Sequence, residues 1–182
     1  MSFHYIALLR AVNLAGQNRV AMVDLRGLLG DLGFAGVRTI LQSGNLVFDA
    51  GRRKPAPLEA LLQRETAKHF GIQVEYFVRS AAEWQAIVAD NPFPDEAKSD
   101  PGHLVVACLK QAAAVKRVAA LRAAIRGRET IAERGRELYI LYPDGIGRSK
   151  LTTALIEKTL GTRCTARNWN TALKLAGLVK PA

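Results

Sequence analysis

An α+β fold built from two similar halves is what this 182-residue sequence predicts, and three observations predict it. Short β-prone runs alternate with amphipathic helical stretches instead of clustering by type. The order strand, helix, strand, strand, helix, strand fills the first half and starts again in the second. Each half carries a hairpin signal, Gln42-Ser43-Gly44-Asn45 and Arg134-Gly135-Arg136, where glycine and asparagine tolerate the positive φ a reversal needs.

Residues 3–10 are almost continuously apolar after His4, which predicts a central strand covered on both faces. A loop over 11–19 precedes a helix over 22–32, whose Met22, Leu25, Leu28, Leu29 and Leu32 form one apolar face. Leu32-Gly33-Phe34 ends it with a glycine between apolar residues. The hairpin over 37–48 follows, then a loop over 50–57 with Arg52-Arg53-Lys54, a helix over 58–70 stopped by Gly71, and a strand over 74–78. This is the ferredoxin-like split βαβ order. A short helix over 82–89 leads into a proline-rich polar run, so the expected organisation is a first subdomain over 1–90, a linker over 91–102 and a basic second subdomain over 103–182.

In the second half a strand over 103–109, a helix over 113–125, a hairpin over 129–142 about Gly135 and a helix over 149–160 closed by Gly161 repeat the plan. Trp169, Ala172, Leu173 and Ala176 then predict an extra C-terminal helix where a fourth strand is due. The expected fold is therefore two ferredoxin-like subdomains in one globular chain. Residue identity between the halves is low, and the repeat rests on element order.

A 49% hydrophobic content is enough for a sizeable core. Residues 1–4 lack a basic n-region, the apolar run behind them stops at Arg10, and no apolar stretch approaches membrane-spanning length. A cytoplasmic protein is expected. Cys108 and Cys164 lack CxxC spacing and read as reduced structural thiols. The net charge of +10 is unevenly placed: residues 1–100 hold 11 Lys+Arg against 11 Asp+Glu, and residues 101–182 hold 15 against 5. A basic second half attracts anions without naming them, and solvated faces would explain it equally.

Three segments could carry chemistry. In a ferredoxin-like unit the loop after the first strand and the hairpin between the second and third lie at one end. Arg10 and Asn13 would there approach Gln42, Ser43 and Asn45, an amide-rich and acid-poor cluster suited to a small anion or polar molecule. The alternative is that these amides satisfy turn backbone. Asp144-Gly145-Ile146-Gly147-Arg148-Ser149-Lys150 follows a strand and opens a helix, so Gly147, Ser149 and Lys150 suggest an anion cradle, without Walker A spacing. Read as structure, it is a turn with Ser149 as helix cap. The third segment is Arg167-Asn168-Trp169, with Arg167 and Asn168 as anion donors; an exposed Trp169 would add base stacking, whereas a buried one would be core.

His4, His69 and His103 are isolated in sequence, so no metal or other cofactor is expected. No nucleophile, base and acid set is recognisable, and whether the chain is an enzyme stays open.

Tyr5-Ile6-Ala7-Leu8-Leu9-Arg10, Asn13, Gly16, Met22-x-x-Leu25-Arg26, Leu32-Gly33-Phe34, Thr39 with Gln42-Ser43-Gly44-Asn45, Asn91-Pro92-Phe93, Ser149-Lys150-Leu151 and Arg167-Asn168-Trp169-Asn170-Thr171 together resemble the bacterial domain-of-unknown-function family 1697. Members usually read Arg-Gly-Ile-Asn-Val-Gly-Gly where this chain has Ala11 and Ala15 in place of two glycines. The resemblance implies two ferredoxin-like halves and no activity.

The function expected from these residues is a binding protein for an anionic ligand, RNA or DNA through the basic half. Tyr139 and Tyr142 fall on opposite strand faces with no RNP1 motif, which disfavours RNA reading on the sheet face. The rival is an enzyme or sensor for a small anionic metabolite at the Arg10 end.

Overall fold

The computed structural model describes residues 4–10, 20–41 and 44–179. Two four-stranded antiparallel sheets carry the architecture. The first is made by β1 (His4–Leu9), β2 (Ala35–Ile40), β3 (Asn45–Asp49) and β4 (Tyr76–Ser80), with α1 (Met22–Asp31) and α2 (Pro55–Phe70) as the crossovers. Then come α3 (Ala81–Ala89) and α4 (Pro94–Ser99). The second sheet is β5 (Leu104–Leu109), β6 (Thr130–Arg134), β7 (Glu137–Leu141) and β8 (Cys164–Asn168), with α5 (Val115–Ala124) and α6 (Thr153–Leu160) between strands and α7 (Trp169–Ala176) after the last.

The spatial orders are β2-β3-β1-β4 and β6-β7-β5-β8, the same plan twice. Both are the ferredoxin-like order. This corrects one expectation: the fourth strand of the second half is present as β8, paired to β5, and α7 follows it as α3 follows β4. The segment Cys164-Thr165-Ala166-Arg167-Asn168 hid because its arginine and asparagine read as loop. Pairing with β5 and burial of Cys164, Thr165 and Arg167 override that weak local preference.

Contacts divide the chain into a first unit, Met1–Ala86 with Leu175–Ala182, and a second, Ile87–Lys174. The division falls inside α3 and α7, and the stretch expected as a linker holds α4 within the second unit.

In the first unit Tyr5, Ala7 and Leu9 of β1, Phe48 of β3 and Val78 of β4 meet Leu25 and Leu29 of α1 and Leu58 and Leu62 of α2. Each fully buried leucine contributes about 1.5–3 kcal/mol, so the helical periodicity is what docks both helices. The opposite strand face is buried as well, through Ile6, Leu8, Val47 and Phe77, as a central β1 requires. In the second unit Val105, Ala107 and Leu109 pack with Val118, Leu121, Ile156 and Leu160. Both cysteines are free and buried. No helix among the described residues is long and apolar enough to cross a membrane.

The second crossovers differ in length. Helix α2 has 16 residues, begins at Pro55 in the first turn and ends at the left-handed Gly71. Helix α6 has 8 and ends at the equivalent Gly161; the Thr152 hydroxyl caps it by accepting from Leu155 N–H. It thus starts later than the expected residue 149.

Candidate functional site

The segment before β6 and the segment after β7 lie at one end of the second sheet, because Thr130 pairs with Leu141. Between them a cavity of about 220 Å³ is lined by Arg126, Glu129, Asp144, Arg148, Ser149 and Lys150, among others. Its walls are held by hydrogen bonds. The Tyr142 hydroxyl donates to Leu151 O at 3.1 Å, and Leu151 N–H donates to Ser149 Oγ at 2.9 Å. Ser149 Oγ in turn donates to Glu129 Oε1.

That hydroxyl, followed by the backbone amide of Glu129 itself, holds the Glu129 carboxyl below its usual range. The other carboxylate oxygen is enclosed beside Gly127, where a Cβ would stand 2.5 Å from it. Gly127 is therefore the condition for this placement. Asp144, the other acid, is paired with Arg128 at 3.0 Å. Both carboxylates are thus engaged, while among the described residues no carboxylate pairs with Arg126, Arg148 or Lys150, all exposed. The cavity presents three cations to solvent.

Of the residues expected here, Ser149 and Lys150 line the cavity, and Gly147 lies beside it in a 3-10 turn over Ile146–Arg148. The segment does not open a helix as expected, since α6 begins at Thr153; recognition would rest on side chains and not on a helix terminus. Arg148, a cation of the expected run, lines the cavity too, whereas Arg126 was missed as a partner. The signal available was the hairpin itself, which must bring the residues before its first strand beside those after its second.

Arg167 and Asn168 lie in β8 and do not line this cavity. Arg167 is buried and donates from Nη1 to Thr165 Oγ1 at 3.0 Å and to Ala166 O at 2.8 Å; burial lowers its pKa to about 10. Asn168 Oδ1 accepts from Thr171 N–H at 3.0 Å and so caps α7. Trp169 is buried, 6.3 Å ring to ring from Tyr139, and offers no stacking platform.

At the end of the first unit, Leu9 N–H donates to Gly44 O at 2.8 Å, so β1 does end beside the hairpin. Arg10 lies 3.7 Å from Glu75, a carboxylate the sequence reading of an acid-poor cluster left out. Asn45 is fully buried and its Nδ2 donates to Ile40 O at 2.8 Å, bracing the β2–β3 turn. Asn13, Gln42 and Ser43 lie outside the described residues. No group of described residues is arranged to hold a metal ion.

A family model described as "Protein of unknown function (DUF1697)" matches residues 3–139. Among solved structures, a conserved bacterial protein from Streptococcus pneumoniae is similar at a TM-score of 0.79 and 21% identity, over 99% of this chain and 100% of that one. At that identity the likeness shows the fold alone. No curated protein matches the chain.

Proposed function

Since the chain belongs to this family of proteins of unknown function, whose name supplies no activity, we propose from its own residues that it binds a phosphate- or carboxylate-bearing anion in the cavity of the second unit. One observation carries the reading: Arg126, Arg148 and Lys150 surround a cavity whose two carboxylates are already engaged. Guanidinium groups supply paired N–H donors to an oxyanion, and the ammonium adds a point charge. The surplus of 15 Lys+Arg over 5 Asp+Glu in residues 101–182 raises the encounter rate with any polyanion.

Binding is favoured over catalysis. Among the described residues Ser149 is the one hydroxyl nucleophile near the cations that points to a carboxylate, and that carboxylate is held in its ionised, weakly basic form. A nucleic acid would be met through its phosphates, since Tyr139, Tyr142 and Trp169 are all buried. The alternative, a small metabolite at Arg10, Asn13, Ser43 and Asn45, draws less support because the Asn45 amide is committed to Ile40.

The test is calorimetric titration with pyrophosphate and with a single-stranded oligonucleotide at low and high salt. Binding that falls with salt and drops about tenfold in the Arg148→Ala/Lys150→Ala double variant is expected. No binding of either probe at low ionic strength, or unchanged binding by the double variant, would overturn the reading.

A further inference from the structure

The outer strands β4 and β8 correspond, and their unpaired edges do not match. Arg10 N–H donates to Glu75 O at 3.0 Å, one step beyond the β1–β4 ladder. Bonded and non-bonded pairs alternate in an antiparallel ladder, so Tyr76, Val78 and Ser80 turn their N–H groups away from β1. The bond from Lys110 N–H to Arg163 O, also 3.0 Å, fixes the same for Cys164, Ala166 and Asn168.

Along β4 the chain fills every such position itself. Tyr76 N–H donates to Gln63 Oε1 at 3.3 Å, Val78 N–H to Glu59 Oε1 at 2.8 Å and Ser80 N–H to Glu83 Oε2 at 2.7 Å. Along β8 only the first is filled, by Glu157 Oε1 at 2.9 Å from Cys164 N. Among the described residues nothing accepts from Ala166 or Asn168 N–H.

The sequence explains both vacancies. Counted back from the capping Gly71 and Gly161, Glu59 corresponds to Ser149, which precedes the shorter α6 and is tied to Glu129. Glu83 corresponds to Thr171, whose hydroxyl donates to Asn168 Oδ1 at 2.8 Å and leaves the Asn168 N–H unserved. The neighbouring carbonyl is not vacant, because Arg167 donates to Ala166 O at 2.8 Å just as Arg79 donates to Val78 O at 3.1 Å. What β8 lacks is acceptors, and in the first unit two of the three acceptors are carboxylates. Ala166 is half-buried and Asn168 exposed, so both can be reached.

We propose that this edge docks an extended acidic segment of a partner protein, whose carboxylates take the N–H groups of Ala166 and Asn168. Groups two residues apart on a strand are separated by roughly 6.5–7 Å, the spacing of alternate side chains on an extended peptide. A cavity of about 430 Å³ at the head of the same edge is lined by Lys158 and by Arg163, the latter paired with Glu157 at 3.1 Å, so Lys158 is the cation it offers an acidic segment. A second copy of the chain is disfavoured as occupant, because its net charge of +10, concentrated in this half, repels its like.

The test is an amide-resolved NMR titration of the full ¹⁵N-labelled chain with a capped octapeptide of alternating Glu and Thr. The Ala166 and Asn168 resonances are expected to move most. A Gln/Thr peptide should bind about tenfold more weakly. Ala166→Pro, which removes an N–H that makes no ladder bond, should weaken the Glu/Thr peptide about as much. Shifts scattered over basic residues and sparing Ala166 and Asn168 would overturn the proposal, with or without a folded proline variant. So would an equal response to succinate, which needs no peptide, or a dimer of this chain that competes with the peptide.

Discussion

Strands β4 and β8 hold the same place in their sheets and carry a buried arginine at the same register, Arg79 opposite Ile6 and Arg167 opposite Val106. Each arginine donates to the carbonyl just before it. Each strand also passes directly into a helix capped by its last residue, Ser80 or Asn168. The difference lies outside the sheet, where α2 runs 16 residues and α6 only 8. What the core demands is repeated; what the rim requires is not. Helix length bears on the middle N–H of the outer strand, which Glu59 of α2 serves at Val78 and nothing on α6 serves at Ala166; the last N–H turns instead on Glu83 in the first unit against Thr171 in the second.

The sharpest way to break this comparison is proline at the matching positions. Val78→Pro removes the N–H that donates to Glu59 Oε1, which should cost roughly 3 kcal/mol or more. Ala166→Pro has no such bond to lose and should cost about 1 kcal/mol. Urea unfolding measures both, and equal costs would mean that the two edges are alike.

Alkali probes the interiors next. Burial raises the Tyr76 phenol to about 12, against a lowering by its hydrogen bond to Thr66. Below pH 10 the phenol is neutral in folded and unfolded chains alike, so no difference arises. Between 10 and 12 the unfolded chain ionises first and stability falls, by roughly 2–3 kcal/mol. Tyr139 and Tyr142 of the second unit are raised too, burial being the main cause in each, so that unit adds two groups to the decline. Tyr→Phe at each position should flatten the loss of stability above pH 10, followed by thermal melts across that range.

Much of this architecture could be read from residues alone, for reasons the units make plain. Helices α1 and α2 announced themselves because Leu25, Leu29, Leu58 and Leu62 recur at the helical period and are the residues that reach the sheet. Strand β8 did not, since Thr165 and Arg167 occupy a buried face that composition assigns to water. The same is true of the cavity. Ser149 and Lys150 were visible as a polar glycine-flanked run, but Arg126 joins them only through hairpin pairing, and Arg167, equally cationic on paper, is withdrawn into the sheet. Asn45 reads in sequence as a ligand donor, and its Nδ2 braces the β2–β3 turn.

A smaller effect separates the two helix caps. Ser80 and Glu83 form a reciprocal box, with Glu83 N–H donating to Ser80 Oγ at 3.2 Å and Ser80 N–H to Glu83. Asn168 and Thr171 complete only one half of it. Glu83→Ala should therefore cost about 1 kcal/mol, and Thr171→Ser, which keeps the hydroxyl, a few tenths at most. Comparable losses in thermal melts would erase the distinction between a closed and an open cap.

Helix α6 starts late, at Thr153. Ser149 stands where Glu59 stands in the first unit, but it precedes α6 and donates its hydroxyl to Glu129, whose enclosed oxygen lies where a side chain on residue 127 would begin. Gly127→Ala places a Cβ 2.5 Å from the enclosed oxygen and must push the carboxylate away. The hydroxyl of Ser149 is the largest cause of the depressed Glu129 pKa, so displacement should return that pKa toward the ordinary carboxylate range. A depressed folded value gives stability that is present above the unfolded pKa and lost as pH falls through the folded one; the variant should lack this acid-side increment. Carboxyl ¹³C titration of Glu129 reads the shift directly. An unchanged titration in Gly127→Ala would show that the Ser149–Glu129 hydrogen bond does not depend on a bare residue 127.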